Sequence, residues 1–299
     1  GGKDAQETSS EASSEGALSP YASDARLELM IYSAFCNGSA GPFQLHLDNA
    51  APIEGLINVP FARWDVENDY VAGKPDVMKP PRFGGFAHDN DIWDFNFFGI
   101  SINEATITEP HIRLLLMGAF NSVKYAGETM AQVKGTDRCV LVGMSVAEYM
   151  SMTRKTNQDV TPYTALQGAI SVACGRVSYI FGFRGPSYSI DTACSASLVA
   201  MHLGNTLIHE GESETSMAVG LQTQLIPQPF VVLSISNMLA LDGRCKTLDA
   251  TGDGYVRAEA IGITLVQPFG EDAPNHLVHV VGSAVNQDGR SSSLTAPSG

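Results

Sequence analysis

Cys194 is the residue whose type and position indicate chemistry most directly, because it lies between a predicted strand, residues 186–193, and a predicted helix, residues 195–211. The amino end of a helix carries a partial positive charge that stabilises a thiolate. Its free backbone N–H groups can stabilise an oxyanion on a thioester carbonyl. We therefore predict a nucleophile elbow with Cys in the role of Ser; the alternative is that Cys194 is a small buried hydrophobe. The turn around it is built from small or polar residues: Asp191, Thr192, Ala193 and Ser195.

The other four cysteines show no sign of a reactive thiol. Cys139 and Cys174 lie in apolar stretches and are predicted to be core residues, Cys36 lies near a strand end, and Cys245 lies in a turn with no activating neighbour. An odd number of widely spaced cysteines without a Cys-x-x-Cys pair argues against a disulfide framework or a zinc site. It fits a reducing compartment, and we expect a cytoplasmic protein.

A reactive thiol usually works with a histidine base, and the seven histidines are His46, His88, His111, His202, His209, His276 and His279. His202 follows Cys194 by eight residues on the same predicted helix, so it lies about 12 Å along the axis, out of reach. No histidine pair has the spacing of metal ligands. Residues 249–254 resemble the start of a calcium loop, but Ala260 stands where the twelfth-position acid belongs. We therefore predict no metal site, and the sequence offers no evident base for Cys194.

The elements that would position this thiol alternate between strands and helices. Strands are predicted from Leu27, over residues 139–145, and over residues 216–223, 260–267 and 276–285. A helix is predicted from Thr108, with Thr108 as the capping residue, and another over the first two-thirds of residues 164–182. This alternation predicts a layered α/β sheet. Residues 1–25 are rich in Ser, Glu, Ala and Gly and are predicted to be a flexible linker or tail, with residues 26–299 forming the folded region.

Composition excludes several classes of function. Hydrophobic residues make up 44% of the chain and charged residues 17%, which excludes disorder for most of it. The 18 basic and 32 acidic residues leave a net charge of −14, which disfavours nucleic acids and anionic membrane surfaces. No apolar run approaches the roughly 18 residues that span a bilayer. Because the sequence begins with Gly1 rather than Met, we expect a piece of a longer product, and a plastid location stays open.

The octet Asp-Thr-Ala-Cys-Ser-Ala-Ser-Leu at residues 191–198 is similar to the active-site signature of the β-ketoacyl synthase (ketosynthase) domain of modular polyketide synthases. Further landmarks of that family follow in order at residues 61–65, 84–86, 97–101, 109–116, 175–179, 185–187, 242–247, 253–257 and 283–290. An ordered set of this size, from about residue 50 to residue 299, is highly specific.

The resemblance implies a thiolase-like layered α/β/α fold, of which this chain holds the N-terminal half and the first strand of the second half. It implies acyl transfer to Cys194, whose own N–H is an oxyanion donor, and then decarboxylative Claisen condensation with a malonyl-type unit on a phosphopantetheinylated acyl carrier protein. The product class is a polyketide or a fatty acid. It also implies a homodimer formed through the strand that enters the elbow, other polyketide synthase domains as partners, and no bound cofactor. The two catalytic histidines of the family belong to motifs absent from this sequence, so the chain by itself is expected to be inactive.

Two stretches depart from the family pattern. Ala258 and Ala260 stand where the family has glycines, and their methyl groups could crowd the turn. Residues 109–112 read Glu-Pro-His-Ile rather than Asp-Pro-Gln-Gln. The altered turn at residues 258–260 and the absent histidine motifs keep an alternative open: a non-condensing module that binds acyl chains or supports dimerisation and assembly. A cysteine-dependent thioester hydrolase is a third possibility, but it needs a His–acid pair that the sequence does not show.

Overall fold

The computed structural model describes residues 28–38, 41–43, 55–69, 81–87, 90–145, 148–154, 169–270 and 277–293. The strands in these ranges are β1 (Leu29–Gly38), β2 (Gly41–Phe43), β3 (Leu56–Asn58), β4 (Phe83–Gly85), β5 (Arg138–Gly143), β6 (Ser187–Ile190), β7 (Thr215–Gln222), β8 (Ala260–Pro268) and β9 (Val278–Val280). The helices are α1 (Val66–Asp69), α2 (Ile102–Ala105), α3 (Pro110–Tyr125), α4 (Met130–Val133), α5 (Tyr149–Arg154), α6 (Ile170–Phe181), α7 (Ala196–His209) and α8 (Gln228–Ile235).

Seven of the strands form one mixed sheet in the order β2-β1-β8-β7-β5-β6, with β9 pairing to β1. β5 is parallel to both β6 and β7, whereas β8 is antiparallel to β7 and to β1. The elements predicted from residues 139–145, 216–223 and 260–267 are thereby confirmed as neighbouring strands. β3 and β4 form a separate two-stranded sheet.

Helices cover both faces of the large sheet, and β5 shows why. All six of its residues are buried. Val140 and Val142 pack into the large core under α3 and α6, while Cys139 and Leu141 pack with Ala200 on α7. Successive side chains of a strand point to opposite faces, so this central strand is apolar at each of residues 139–142. Arg138 at its start is buried with hydrogen bonds to Tyr32 and Glu128. The predicted layered α/β arrangement is confirmed, with α3 and α6 on one face and α7 on the other.

A smaller apolar cluster joins the two-stranded sheet to α8. Trp64, Phe86 and Phe230 pack together, with ring centroids 5.7 Å apart for Trp64–Phe86 and 5.2 Å apart for Trp64–Phe230. The cluster ties the chain around residues 61–65 to the region that follows β7.

Two details of the helix predictions were wrong. α3 begins at Pro110 with Glu109 at the N-cap position, whereas Thr108 Oγ1 donates to Glu104 O (2.9 Å) at the end of α2. Proline at the first helical position fixes the start, since its φ is already helical. α6 occupies Ile170–Phe181 and so continues past the first two-thirds of residues 164–182, of which residues 164–168 lie outside the described part of the chain. It ends at Gly182, whose φ of 74° closes the helix in the left-handed conformation.

The strand predicted over residues 276–285 is also shorter than expected. β9 contains only Val278–Val280, and residues 281–293 form neither strand nor helix. Within the sheet β9 pairs only with the first residues of β1. Residues 1–25, predicted as a linker, lie outside the described residues.

Candidate active site

Cys194 lies where the parallel strands of the sheet end. β6 ends at Ile190, whose register partner is Gly143 at the end of β5, and Gly143 in turn pairs with Gly220 of β7. A short 3₁₀ turn, Ala193–Ser195, carries the thiol, and α7 begins directly after it. The predicted strand–turn–helix arrangement is confirmed, with the strand ending three residues earlier than expected. Ligands of open α/β sheets bind beyond the carboxyl ends of parallel strands.

Side chains on both sides hold this turn in place. Asp191 Oδ1 accepts hydrogen bonds from Ser145 Oγ (2.8 Å) and from the Ala193 N–H (3.0 Å). Ser195 Oγ donates to Thr192 O (2.8 Å), and the Ser195 N–H donates to the same oxygen (3.3 Å). Ala193 has a φ of 53°, a left-handed conformation that a residue with a Cβ adopts only when its surroundings enforce it. The four residues predicted to shape the elbow therefore constrain the backbone next to the thiol.

Two glycines let the first turn of α7 approach the sheet closely. A Cβ at Gly143 would lie 2.5 Å from the carbonyl carbon of Ala196 and 2.7 Å from the nitrogen of Ser197. A Cβ at Gly220 would lie 2.6 Å from the Ser197 Cβ. Because all three separations are far below van der Waals contact, any larger residue would push the start of α7 away from the strands. The position of Cys194 thus depends on the absence of side chains at these two strand residues.

The Cys194 side chain is free and exposed, which excludes the interpretation of it as a buried structural cysteine. It stands immediately before the amino end of α7, a helix of 14 residues whose dipole favours negative charge at this end. The N–H groups on either side, those of Ala193 and Ser195, already donate within the turn. The N–H of Cys194 itself lies between them, at the position where an oxyanion donor is expected.

A cavity of about 730 Å³ includes Cys194 in its wall. Its apolar lining comes from the ends of several elements: Met144, Leu198, Met201, Leu221, Pro229 and Val256. Small residues of the sheet also line it: Ala218, Gly220, Ala260 and Gly262. The exposed thiol therefore opens into a mainly apolar space, which suits an acyl chain better than a polar substrate.

Glu148 and Arg257 are charged residues in the lining of this cavity. Arg257 Nη2 is 3.8 Å from Glu148 Oε1, and the Arg257 guanidinium lies over the Phe230 ring at 5.3 Å. Burial raises the pKa of the Glu148 carboxyl, while hydrogen bonds from the N–H groups of Leu225 and Ile226 act in the opposite direction. Glu148 could not be singled out from the sequence, because it lies outside every motif named above.

No described histidine forms a hydrogen bond with the Cys194 thiol. His111 is buried and shares a hydrogen bond with Thr223 Oγ1, 2.8 Å from its Nε2, and His202 Nδ1 lies 2.9 Å from Ser283 Oγ. His209 is exposed at the end of α7, and the His279 ring lies 4.5 Å from that of Phe269 at an interplanar angle of 45°. The remaining three, His46, His88 and His276, lie outside the described residues. The site as described therefore holds a nucleophile without a base.

The other cysteines lie largely where the sequence predicts. Cys139 and Cys174 are buried, and burial raises the pKa of the Cys139 thiol. Cys245 is exposed, and its Sγ accepts a hydrogen bond from the Val256 N–H (3.4 Å). Cys36 is half-buried within β1 and lines the same cavity as Cys194, which the sequence does not reveal.

Ala258 and Ala260, which replace the family's glycines, do not strain the turn. Neither has a positive φ, so a Cβ is sterically acceptable at both positions. Ala258 is exposed and Ala260 half-buried, and both line the cavity. The altered turn, one of the two observations that motivated a non-condensing module, therefore does not support it.

The described residues offer neither a metal cluster nor a membrane span. No group of three or more His, Cys, Asp or Glu side chains is placed to hold a metal ion in that part of the chain. Among the same residues, no helix has the length and apolarity to cross a membrane.

Comparisons with known proteins agree on one family. The family described as Beta-ketoacyl synthase, N-terminal domain, matches residues 51–271. Polyketide synthase GfsB of Streptomyces halstedii is 39% identical over 254 residues, which are 82% of this chain and 4% of that protein. Erythronolide synthase EryA2 of Saccharopolyspora erythraea is 38% identical over 243 residues, 79% of this chain and 7% of that protein.

Solved structures show the same relationship. The ketosynthase from module 6 of the bacillaene synthase from Bacillus subtilis 168 superimposes with a TM-score of 0.77 at 25% identity, covering 91% of this chain and 46% of that one. The oxazolomycin ketosynthase domain OzmH KS7 of Streptomyces albus JA3453 gives a TM-score of 0.81 at 28% identity, covering 91% and 48%. The chain spans less than half the length of these ketosynthases and a small part of the curated synthases.

Proposed function

Because the chain belongs to the β-ketoacyl synthase family and has the thiolase-like fold of ketosynthases, we propose that Cys194 is the acyl-accepting nucleophile of a condensing enzyme of polyketide biosynthesis. The observation that carries the proposal is the exposed thiol on a constrained turn at the amino end of α7, open to an apolar cavity. The 38–39% identity to polyketide synthases supports the same reaction class.

In the first half of the proposed reaction, the Cys194 thiolate attacks the carbonyl carbon of an acyl thioester. The carbonyl oxygen becomes an oxyanion that accepts a hydrogen bond from the Cys194 N–H. The carrier thiol then leaves and takes a proton, and the acyl group remains as a thioester on Sγ. The positive end of α7 stabilises the thiolate before attack and the oxyanion afterwards.

In the second half, a malonyl-type thioester loses CO₂, and the electron pair of the broken bond forms an enolate carbon nucleophile. That carbon attacks the acyl carbonyl on Cys194, a carbon–carbon bond forms, and the Cys thiolate leaves. Family resemblance places the two histidines of this step in motifs that these 299 residues do not contain. We therefore assign condensation to the whole protein, with a phosphopantetheinylated carrier protein as the donor and other polyketide synthase domains as partners.

Acyl labelling tests the assignment of the nucleophile. The full-length protein is incubated with an acyl-pantetheine thioester, and the acyl mass is located by peptide mass spectrometry. We expect the label on Cys194 and its loss in Cys194→Ala. Cys245→Ala is the matched control, because Cys245 is also an exposed free thiol. Equal labelling of the Cys194→Ala protein would refute the proposal.

We also propose a homodimer formed along β6. Within the described sheet β6 is an end strand, and Tyr188 on it and Tyr179 on α6 are 46% and 84% exposed. An open strand edge flanked by exposed tyrosines is suited to pairing with a second copy. Sedimentation equilibrium should show a dimer that Tyr188→Lys weakens and Ile57→Lys, at a similarly exposed apolar residue on β3, leaves intact. A monomer at micromolar concentration would contradict this proposal.

A further inference from the structure

Three consecutive backbone N–H groups after β7 donate hydrogen bonds to two buried carboxylates from distant parts of the chain. The Gln224 N–H donates to Glu259 Oε1 (2.8 Å), and the N–H groups of Leu225 and Ile226 donate to Glu148 Oε2 (2.7 and 3.1 Å). Neither carboxylate belongs to the nucleophile elbow. Buried amides need acceptors, and ionised acceptors make the stronger hydrogen bonds. The loop at residues 224–226 is therefore held by charge-assisted bonds rather than by a strand or a helix.

Glu259 is the centre of this arrangement. Its side chain is completely buried. Arg63 donates to both of its oxygens, with Nη1 2.9 Å from Oε1 and Nη2 3.0 Å from Oε2. Oε2 also accepts from the Ala87 N–H (2.8 Å) and from Asn90 Nδ2 (2.9 Å). With the bond from Gln224, one carboxylate receives five hydrogen bonds from three separate segments. A buried charge with this many donors is compensated and fixed in position.

Glu148 holds the adjacent part of the same loop, Leu225 and Ile226, in the same way. Besides its two backbone bonds, it lies 3.8 Å from the Arg257 guanidinium, two residues before Glu259 in sequence. Glu148 is almost fully buried, as is Glu259, so both resist rearrangement by solvent. Each carboxylate thus has a cation of its own, and together they connect the loop at residues 224–226 to the segment around residue 257.

These two segments form part of the wall of the Cys194 cavity. Residues 255–258 and Ala260, on both sides of Glu259, line it, as do Gln222 and Pro229, on both sides of the loop. We name residues 255–260 the wall segment. The Glu259 side chain points away into the hydrogen-bonded centre, while the residues beside it face the cavity. Movement of the carboxylate would therefore shift the cavity wall without acting on the elbow itself.

We propose that Glu259 and Glu148 are positioning residues that clamp the wall segment to the loop at residues 224–226 and so determine how tightly the acyl chain is bound beside Cys194. The inference rests on the proposed function, since it concerns the same cavity. It makes the two carboxylates determinants of acyl-thioester KM rather than of thiol reactivity.

The experiment compares Glu259→Gln and Glu148→Gln with the unaltered full-length protein. The amide keeps the size of the side chain, but removes the charge and sets an NH₂ group against donors. Glu67→Gln is the matched control, because Glu67 is an exposed acid whose carboxylate pairs with Arg82 on the surface. Three quantities are measured: KM and kcat for acylation by a long-chain acyl-pantetheine, the rate of Cys194 alkylation by iodoacetamide, and the thermal midpoint.

We expect the two Gln variants to raise KM by about tenfold, the effect of losing one charge-assisted hydrogen bond. The alkylation rate, which needs only the thiol and a small reagent, should stay within about twofold. If a Gln variant does not fold, Arg63→Lys replaces it. This substitution keeps the positive charge but cannot donate the two parallel hydrogen bonds to Glu259. It should raise KM by a smaller factor.

The possible outcomes separate the inference from the proposed function. Unaltered protein that takes no acyl group on Cys194 refutes the proposed function. Normal acylation with an unchanged KM in folded Gln variants refutes the clamp. Alkylation that slows in parallel with acylation also refutes it, because the carboxylates would then act on the elbow or on the whole fold.

Discussion

Gly143→Ala tests whether the position of Cys194 depends on the close contact between β5 and α7. The added Cβ would lie 2.5 Å from Ala196 C and 2.6 Å from Ala196 O, where carbon contacts need well over 3 Å. Since both contacts are backbone atoms, no side-chain rotation relieves them, and the first turn of α7 must move by roughly 0.5–1 Å. A displacement of 1 Å at a reacting group costs on the order of 10²-fold in rate. The overpacking itself costs about 1–3 kcal/mol of folding free energy.

The assay is the rate of acyl transfer to Cys194, followed by mass spectrometry on the full-length protein, together with denaturant unfolding. We expect acylation to fall by roughly 100-fold while most of the protein stays folded. Gly270→Ala is the control, because nothing lies within 4 Å of a Cβ there and its φ is not positive. Acylation at the unaltered rate in Gly143→Ala would show that the elbow does not need this contact, and that the close approach of α7 to β5 does not position the thiol.

Two further predictions concern the histidine in the core and the reactivity of the thiols. Burial lowers the pKa of His111 to about 4, so the unfolded chain takes up the proton first as the pH falls, and up to about 3 kcal/mol of stability is lost between pH 6.5 and 4. His111→Gln should flatten this part of the pH dependence in urea titrations at pH 7, 6 and 5; equal slopes for the two proteins would contradict the assignment. In the native protein an aromatic disulfide reagent should modify the two exposed thiols, Cys194 and Cys245, within minutes, and Cys139 and Cys174 only after unfolding, whereas early modification of either buried thiol would contradict the packing.

The elbow could be predicted from the sequence because its determinants are local. A short strand segment, a turn of small residues and an apolar helix follow one another within 23 residues, and the structure places β6, Cys194 and α7 accordingly. The apolar run at residues 139–142 of β5 was equally clear, since these positions are buried on both faces of the sheet and carry no polar side chain. The end of α6 was missed because apolar residues continue through Val177, Ile180 and Phe181, so periodicity alone does not mark where the helix stops.

The clamp could not be predicted in this way, because its partners are far apart along the chain. Glu259 and Arg63 are separated by 196 residues, and Glu259 and Asn90 by 169. No local pattern distinguishes a buried acid that receives five hydrogen bonds from an acid on the surface. The one signal near Glu259 was the pair of alanines beside it, which drew attention to the turn but not to the carboxylate.

The separation of Arg63 and Glu259 has a consequence for biosynthesis. A ribosome that adds about 5–20 residues per second needs roughly 10–40 s to proceed from one to the other. During that interval the guanidinium and the neighbouring amides lack the anion that compensates them, so this region of the nascent chain stays hydrated and open. The cavity wall therefore cannot reach its final position until residue 259 has been added.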